Sequence, residues 1–279
     1  MNKFSFTQSE NARTEALNFV KNSLTLDQWN LHQAQIQLLK QSVEQHALFQ
    51  HPILNQLQSS TLSLHHLKTI HLNYFVAIVK IFTDALSMLI FDAHTLEKNQ
   101  NIKTDMRVKA KVYARYLLSL NLIDELGFNT LDLALSSPSK AHLTYFLQLL
   151  EALSLDTNDL AQTVSQAHRV SDYIASHFHD YQALLLILAI TEQQVIVYSE
   201  ALSINVAKFD PKFSSGYYEC HGVVGCGHSL ANDDNHEDDI WMLLTQALDT
   251  SRTDELSAIT HEFLDIWHDF WESMYVASF

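Results

Sequence analysis

The sequence YQALLLILAITEQQVIVYSEALSINV, at residues 181–206, contains neither glycine nor proline, and its first part is almost wholly apolar. A run of this length is far longer than an ordinary strand. It is typical of an α-helix that is buried on all sides. We therefore expect this segment to be the central helix of the fold.

The same kind of signal recurs along the rest of the chain. Only 5 glycines and 3 prolines occur in 279 residues, which leaves few places for tight turns. Apolar residues repeat at helical spacing, with no strand alternation. The further helices are predicted at 26–49, 63–97, 106–127, from Ser137-Pro138 onward, 156–176, 232 to beyond 241, and from 251. The sequence predicts an all-α protein, a bundle of seven to nine helices in a single domain, 1–279.

Charge and cysteine content limit the class of protein. The formal net charge is −15, from 17 Lys and Arg against 32 Asp and Glu, so the phosphates of a nucleic acid would be repelled. The 2 cysteines cannot form a disulfide framework, which fits a reducing compartment. The longest wholly apolar run, 183–190, is shorter than a membrane span, and the N-terminus lacks the apolar segment of a secretion signal. We expect a cytoplasmic protein with neither nucleic acid nor membrane as a partner.

Two segments carry acidic groups that can bind a metal ion. Asp233 and His236 in NDDNHEDDIW are three residues apart, so they project from one face of a helix and can share an ion. An acidic run at a helix start is also typical of a solvated N-terminus that the helix dipole favours. Glu192 lies within the apolar helix, where a charge is costly unless a cation or several donors compensate it. The alternative is a hydrogen-bonded side chain in a polar seam beside Gln193 and Gln194.

Other candidate ligands lie between these segments. Glu125 ends the helix that carries NLIDELG, and His142 is near the start of the next helix, so a short connection can bring them together. His221 lies in a glycine-rich insert at 216–227 and His228 follows it directly, and the flexibility of the insert would let either imidazole reach an ion. His71, on the long second helix, could contact such ligands.

Two other metal sites fit the sequence less well. Structural zinc could bind to Cys220, Cys226 and one or both neighbouring histidines, but the C-x5-C spacing departs from the usual zinc-binding pairs. The segment DDNHEDD lacks the sixth-position glycine and the distal glutamate of a calcium loop.

The order of these segments resembles the haem-oxygenase-like diiron oxidases. The resemblance rests on NLIDELG, then AH at 141–142, TEQQV, YYECH and DDNHEDDIW, and it covers roughly 63–250. Residues 1–60 would then be accessory N-terminal helices and 251–279 a C-terminal helix. The superfamily also contains thiaminase II, pyrroloquinoline-quinone synthase and the chlamydial death-domain-associating protein, the last with a six-ligand diiron site.

The resemblance implies a set of ligands for two iron ions. The matching positions are Glu125, His142, Glu192, Asp233 and His236. The family has a further histidine four residues before the aspartate, where this chain has Ser229, so His221 is the first choice for that role and His228 the second. The interval from Glu125 to His142 is also longer than the family usually shows.

The same resemblance implies an activity and leaves alternatives. Iron would activate O2 to oxidise a small organic substrate such as an amine, an amino acid or a fatty acid, and a homodimer would be ordinary for the fold. Manganese accepts the same ligands. One alternative is a metal-free enzyme like pyrroloquinoline-quinone synthase or thiaminase II. The latter needs a cysteine in its cavity, and both cysteines here lie in the insert, which would have to fold inward. Another alternative is a non-catalytic interaction protein that keeps metal as structure.

Overall fold

The computed structural model describes residues 11–129, 132–156, 158–220 and 232–276, with the backbone alone for 232–235 and 276. Regular structure within these residues is entirely helical, which confirms the all-α prediction. The α-helices are α1 Ala12–Asn22, α2 Leu26–Glu44, α3 Pro52–Gln58, α4 Leu64–Tyr74, α5 Phe82–Asp92, α6 Arg107–Glu125, α7 His142–Ala152, α8 Ser165–Ser176, α9 Tyr181–Ala207, α10 Tyr217–Cys220, α11 Asn232–Ala247 and α12 Thr253–Val276.

The number of helices differs from the prediction. A π-helical turn, Phe75–Val79, joins α4 to α5 within one continuous helix, Leu64–Lys98. Because α4 and α5 belong to one continuous helix, the described residues contain eleven separate α-helices. The prediction of seven to nine helices is therefore wrong. The excess includes the 7-residue α3 and the 4-residue α10, which are too short to show a helical period in the sequence.

Helix α9 is the central helix of the bundle, as predicted. Every residue from 183 to 190 has a relative exposure of 0%. The helix packs against α3, α5, α11 and α12, so neighbours cover it on several sides. Its lack of an amphipathic pattern therefore reflects burial all round.

The C-terminal helix α12 contributes the largest aromatic side chains to the core. Trp267 and Trp271 are fully buried, and their rings lie 6.0 Å from that of Tyr74 in α4. Trp271 also stacks on Tyr198 of α9 at 4.1 Å. Because aromatic side chains bury more apolar area than any others, α12 is an integral part of the core.

Two helices are long and apolar enough to cross a membrane by length and composition, Leu64–Lys98 and Tyr181–Ala207. Buried core helices meet the same criterion. In the most apolar window of each, 50% and 78% of the residues, respectively, are buried inside the protein. These helices are weak evidence for a membrane protein, and the cytoplasmic location stays a prediction.

Helix α8 begins later than the sequence pattern predicts. The prediction placed its start at Asp156, but the helix runs from Ser165. The carboxylates of Asp156 and Asp159 accept backbone N–H bonds from Asn158 and Asp156 at 2.6 and 2.8 Å. Such side-chain bonds give the backbone an alternative to the helix, so it forms turns first.

Helix α7 also begins later, at His142 rather than at the Ser137-Pro138 signal. Ser137 caps only a 3-10 turn, Pro138–Lys140, and Ala141 then adopts an extended conformation. The N–H of Ser137 donates to the carbonyl of Gly127 at 3.1 Å, so this segment packs on the end of α6. That contact places His142 beside Glu125.

Gly127 is required where this segment packs. Its φ of +79° is rarely adopted by other residues, and an added Cβ would lie 2.5 Å from the carbonyl oxygen of Ser137 and 2.6 Å from the nitrogen of Ala141. We expect Gly127→Ala to lower the free energy of unfolding by roughly 2 kcal/mol, as measured by chemical denaturation.

Gly216→Ala is the matched control. Gly216 also has positive φ, at +69°, but its added Cβ would approach only the side chain of Tyr145, at 3.2 Å. Gly216→Ala should therefore lose only the part of the stability that comes from the positive φ. Equal losses in the two variants would show that the close backbone approach at Gly127 is unimportant.

Candidate functional site

A small cavity between α6, α7 and α9 brings together three of the predicted ligands, Glu125, His142 and Glu192. Its other walls are mainly apolar, and Ile78 and Val79 come from the π-helical turn. Such turns are frequent at functional sites because they redirect side chains from a helix. The cavity volume is about 20 Å³, room for about one water-sized molecule. The polar groups therefore face a small, mainly apolar space.

Glu125 and His142 form an ion pair across this cavity. Oε1 of Glu125 lies 2.9 Å from Nδ1 of His142, and both side chains are largely buried. Burial alone would lower the pKa of His142, but the charge of Glu125 and hydrogen bonds with Cys220 and Glu125 raise it well above its usual value. This arrangement favours the protonated form of His142. A metal ion would have to displace its proton to bind there.

Glu192 is buried in α9, with 4% of its surface exposed. Nδ2 of Asn121, in α6, donates to its Oε1 at 2.8 Å. This bond agrees with the alternative that Glu192 is a hydrogen-bonded side chain in a polar seam. A neutral amide does not, however, compensate the negative charge of a carboxylate. The position of Glu192 in the cavity wall keeps it available to a cation.

His236 lies on the other side of Asn121. It lines a smaller pocket with Asn121 and Asp239, and its Nε2 is 3.5 Å from a carboxylate oxygen of Asp124. This nitrogen is buried and has no hydrogen-bond partner among the described residues. Because buried polar atoms are rarely left unpaired, it is a candidate ligand atom.

Helix α11, which carries His236, is held by a charged contact from α1. The guanidinium of Arg13 binds both carboxylate oxygens of Asp239, with distances of 2.9 and 2.6 Å. Asp239 has 3% of its surface exposed, and burial raises its pKa although Arg13 opposes the shift. Nothing in the sequence separates this aspartate from its neighbours in DDNHEDD. Its role follows from the position of α1.

The remaining predicted ligands lie wholly or partly outside the described residues. His221 and His228 lie outside the described residues, as does Cys226 of the zinc alternative. The backbone of Asp233 is described as part of α11, but its side chain is not. Within the described part of the chain, no group of three or more His, Cys, Asp or Glu side chains lies close enough together to hold a metal ion.

The donor set nevertheless fits iron or manganese in its chemistry. Carboxylates and imidazoles are the ligands that these ions accept, and sites of this kind form from side chains on facing helices. Glu125, His142 and Glu192 share one cavity, and Nε2 of His236, which has no hydrogen-bond partner among the described residues, lies beyond Asn121. The residues present are therefore compatible with a metal, although the described side chains alone do not form its coordination shell.

Behind this cavity, His71 and Tyr218 form a buried pair. Nε2 of His71 is 2.6 Å from the hydroxyl of Tyr218, and its Nδ1 is 2.6 Å from the carbonyl of Leu67. The sequence identified His71 only as a residue that could support the ligands, and it did not identify the tyrosine. The two are 147 residues apart, so no local pattern connects them.

The burial of His71 predicts a dependence of stability on pH. Burial lowers its pKa from 6.5 to about 4, whereas in the unfolded chain the imidazole regains its ordinary value. Between these values the unfolded chain binds the proton and the folded protein does not, so stability falls as the pH falls. We expect a loss of roughly 3 kcal/mol from this group between pH 6.5 and about 4.

Chemical denaturation of His71→Gln at several pH values measures this contribution. The variant should lose the part of the pH dependence that comes from His71, while His65→Gln, an exposed position on the same helix, should retain it. If both variants keep the dependence of the parent, the effect arises from other groups.

Comparison of the sequence with protein family models and with curated proteins finds no match. The resemblance to haem-oxygenase-like diiron oxidases therefore stays a prediction that depends on the residues quoted for it.

Proposed function

We propose that the protein is a non-haem diiron oxidase with a haem-oxygenase-like bundle, which uses O2 to oxidise a small organic substrate. The observation that carries this proposal is that Glu125, His142 and Glu192 share one cavity whose other walls are mainly apolar. Two carboxylates beside an imidazole within a helical bundle are donors that iron accepts.

Electrostatics favour a cation at this position. Glu192 lies in the buried central helix α9, and Glu125 lines the same cavity. Buried carboxylates repel each other, and their loss of hydration is large unless positive charge compensates it. His142 supplies part of that charge. A divalent ion in its place would compensate both carboxylates and stabilise the folded chain.

The ligands would be Glu125, His142, Glu192 and His236, with Asp233 and either His221 or His228 from the part of the chain whose side chains are not described. When bound, two iron ions would supply the electrons that reduce O2 and the oxidising power that acts on the substrate. Phe82 and Val195 line the cavity and give it apolar walls. At about 20 Å³ the cavity admits a molecule no larger than O2 or water, so an organic substrate requires movement of a wall.

Anaerobic titration of the metal-free protein with ferrous iron tests the proposal. We expect two irons to bind per chain and, on mixing with oxygen, a transient absorption band in the visible region. His236→Ala should lose iron, whereas Asp238→Ala, an exposed carboxylate on the same helix, should bind it like the parent. Absence of binding would overturn the proposal, and tightly held iron that is inert to oxygen would favour a non-catalytic metal-binding protein.

One observation favours a second function, a metal-free enzyme with a cysteine nucleophile. The sequence placed both cysteines in the insert, away from the cavity unless the insert folds inward. In the structure Cys220, in α10, forms a hydrogen bond with His142, which in turn is paired with Glu125. A thiol, an imidazole and a carboxylate in this order can generate a thiolate, with the carboxylate orienting the imidazole.

Alkylation of the native, metal-free protein with iodoacetamide distinguishes the two functions. A nucleophilic Cys220 should react at neutral pH much faster than a free thiol, and His142→Gln should reduce that rate sharply. The experiment uses Cys226→Ser, so that only one thiol remains. A rate no faster than that of a free thiol would exclude the cysteine mechanism.

A further inference from the structure

Tyr218 and His71 make a hydrogen bond whose direction the structure fixes. The carbonyl of Leu67 can only accept, so Nδ1 of His71, 2.6 Å away, carries the imidazole proton. Because burial holds the pKa of His71 at about 4, the ring is neutral, and its Nε2 has a free lone pair. The hydroxyl of Tyr218, 2.6 Å from Nε2, therefore donates to it.

Tyr198 provides an internal comparison. Its hydroxyl also donates over 2.6 Å in the buried core, but to the backbone carbonyl of Leu48. A carbonyl is far too weak a base to take a phenol proton, whereas a neutral imidazole can take it. Tyr218 is thus a buried tyrosine whose hydrogen-bond partner can also serve as its base.

The pair lies directly behind the candidate site. Tyr217, the preceding residue, lines the cavity with Glu125 and Glu192, and its ring centroid is 5.5 Å from that of Tyr218. The two tyrosines are part of α10, which packs against α7 and α9. An electron leaving Tyr218 has only a short distance to travel to the cavity.

Further aromatic rings lead from this region toward the surface. Tyr74 is one helical turn beyond His71 in α4, and its ring is 6.0 Å from that of Trp267. Phe263 follows at 6.4 Å and Tyr173 at 5.6 Å, where the hydroxyl of Tyr173 meets the exposed Glu262. Closely spaced rings of this kind can pass an oxidising equivalent between the interior and the solvent.

We propose that Tyr218 and His71 form a proton-coupled redox pair beside the candidate site. One electron leaves the phenol of Tyr218 for an oxidant, and in the same step the phenol proton moves to Nε2 of His71. The products are a neutral phenoxyl radical, an imidazolium and the oxidant reduced by one electron. In the cell the oxidant would be the dioxygen-derived oxidant of the iron site, so the physiological role rests on the proposed function.

The proton transfer is what makes oxidation of this residue feasible. Burial, with a smaller contribution from Tyr74, raises the pKa of Tyr218 well above its usual value, so the phenol does not ionise first. Loss of an electron alone would create an unsolvated cation in the core. Transfer of the proton to the adjacent imidazole places the positive charge on a group that holds it readily.

The test uses the whole, metal-free protein and an oxidant that needs no iron. Photogenerated tris(bipyridyl)ruthenium(III) oxidises the protein, and electron paramagnetic resonance of rapidly frozen samples detects the radical. We expect a long-lived phenoxyl signal with a hyperfine coupling to a proton that exchanges in deuterium oxide. Tyr218→Phe should lose this signal, and Tyr198→Phe should retain it.

His71→Gln separates the base from a merely structural partner. Glutamine can accept the hydrogen bond of Tyr218 but cannot take its proton, so the long-lived signal and its exchangeable coupling should be lost. An unchanged signal in His71→Gln, or in Tyr218→Phe, would overturn the proposal. Lack of an exchangeable coupling in the parent protein would also overturn it, whether or not the variants fold.

Iron binding in the same proteins keeps the two proposals distinct. Neither Tyr218 nor His71 is a proposed ligand, so both variants should bind ferrous iron like the parent. A phenoxyl signal in a parent protein that binds no iron would support the redox pair and reject the iron site. Iron binding in a parent protein that gives no phenoxyl signal would support the iron site and reject the redox pair.

Discussion

Glu192→Gln is expected to abolish ferrous iron binding while leaving the metal-free protein at least as stable as the parent. Glutamine is close in shape to glutamate, and its side-chain oxygen can still accept the hydrogen bond from Asn121. The substitution removes the charge and replaces the second carboxylate oxygen with an amide NH2 group. The carboxylate is buried in the central helix, where the loss of hydration makes a charge unfavourable.

Thermal unfolding with and without iron under anaerobic conditions measures both parts of this prediction. A ligand at a hundred times its dissociation constant stabilises the folded state by about 2.7 kcal/mol. For a chain of this size that gain raises the melting temperature by roughly 5 to 10 °C. The parent should show such a rise and Glu192→Gln none.

Glu200→Gln is the matched control, since it removes the same charge from an exposed position on α9. It should bind iron and respond to it like the parent. A rise in melting temperature for Glu192→Gln equal to that of the parent would remove Glu192 from the ligand set. A large loss of stability in its metal-free form would show that the carboxylate is structural.

Asp239→Ala is expected to lower the free energy of unfolding by about 3 kcal/mol, because it removes the buried carboxylate that Arg13 binds. Removal of one member of a buried ion pair costs about 3 to 5 kcal/mol. The side chain of Arg13 is 27% exposed, so solvent can recover part of its charge, and the lower end of that range applies. Denaturation by urea gives the value directly.

The pair formed by Arg169 and Asp269 provides the control. The two residues are 2.9 Å apart, but each side chain is more than half exposed, at 53% and 54%. Exposed pairs contribute about 0 to 1 kcal/mol, so Asp269→Ala should have little effect. A similar loss in both variants would show that burial of the Arg13 pair is unimportant.

The helical plan and the main candidate residues could be predicted from the sequence. An apolar run without glycine or proline leaves α9 no stable place except the centre of a bundle, and this run also reveals Glu192 as an anomaly. The positions of α2, α6 and α11 follow from local periodicity in the same way. The spacing of Asp233 and His236 assigns both to one helical face because helix geometry is fixed by local bonds.

Helix starts were predicted less well, since local bonds there depend on contacts from elsewhere. The segment before α7 packs on Gly127 and so delays the helix to His142. Similarly, the side chain of Asn73, in α4, accepts the N–H of Val164 just before α8. Neither contact leaves a pattern in the neighbouring sequence.

Only the tertiary structure decided which groups meet. It placed Cys220 beside His142, Asn121 on Glu192, Arg13 on Asp239 and Tyr218 on His71. Hydrophobic periodicity specifies which face of each helix is buried, because burial of apolar surface is non-directional and needs no particular partner. Hydrogen bonds and ion pairs require defined atoms at defined distances, and those distances are set only when distant helices pack together.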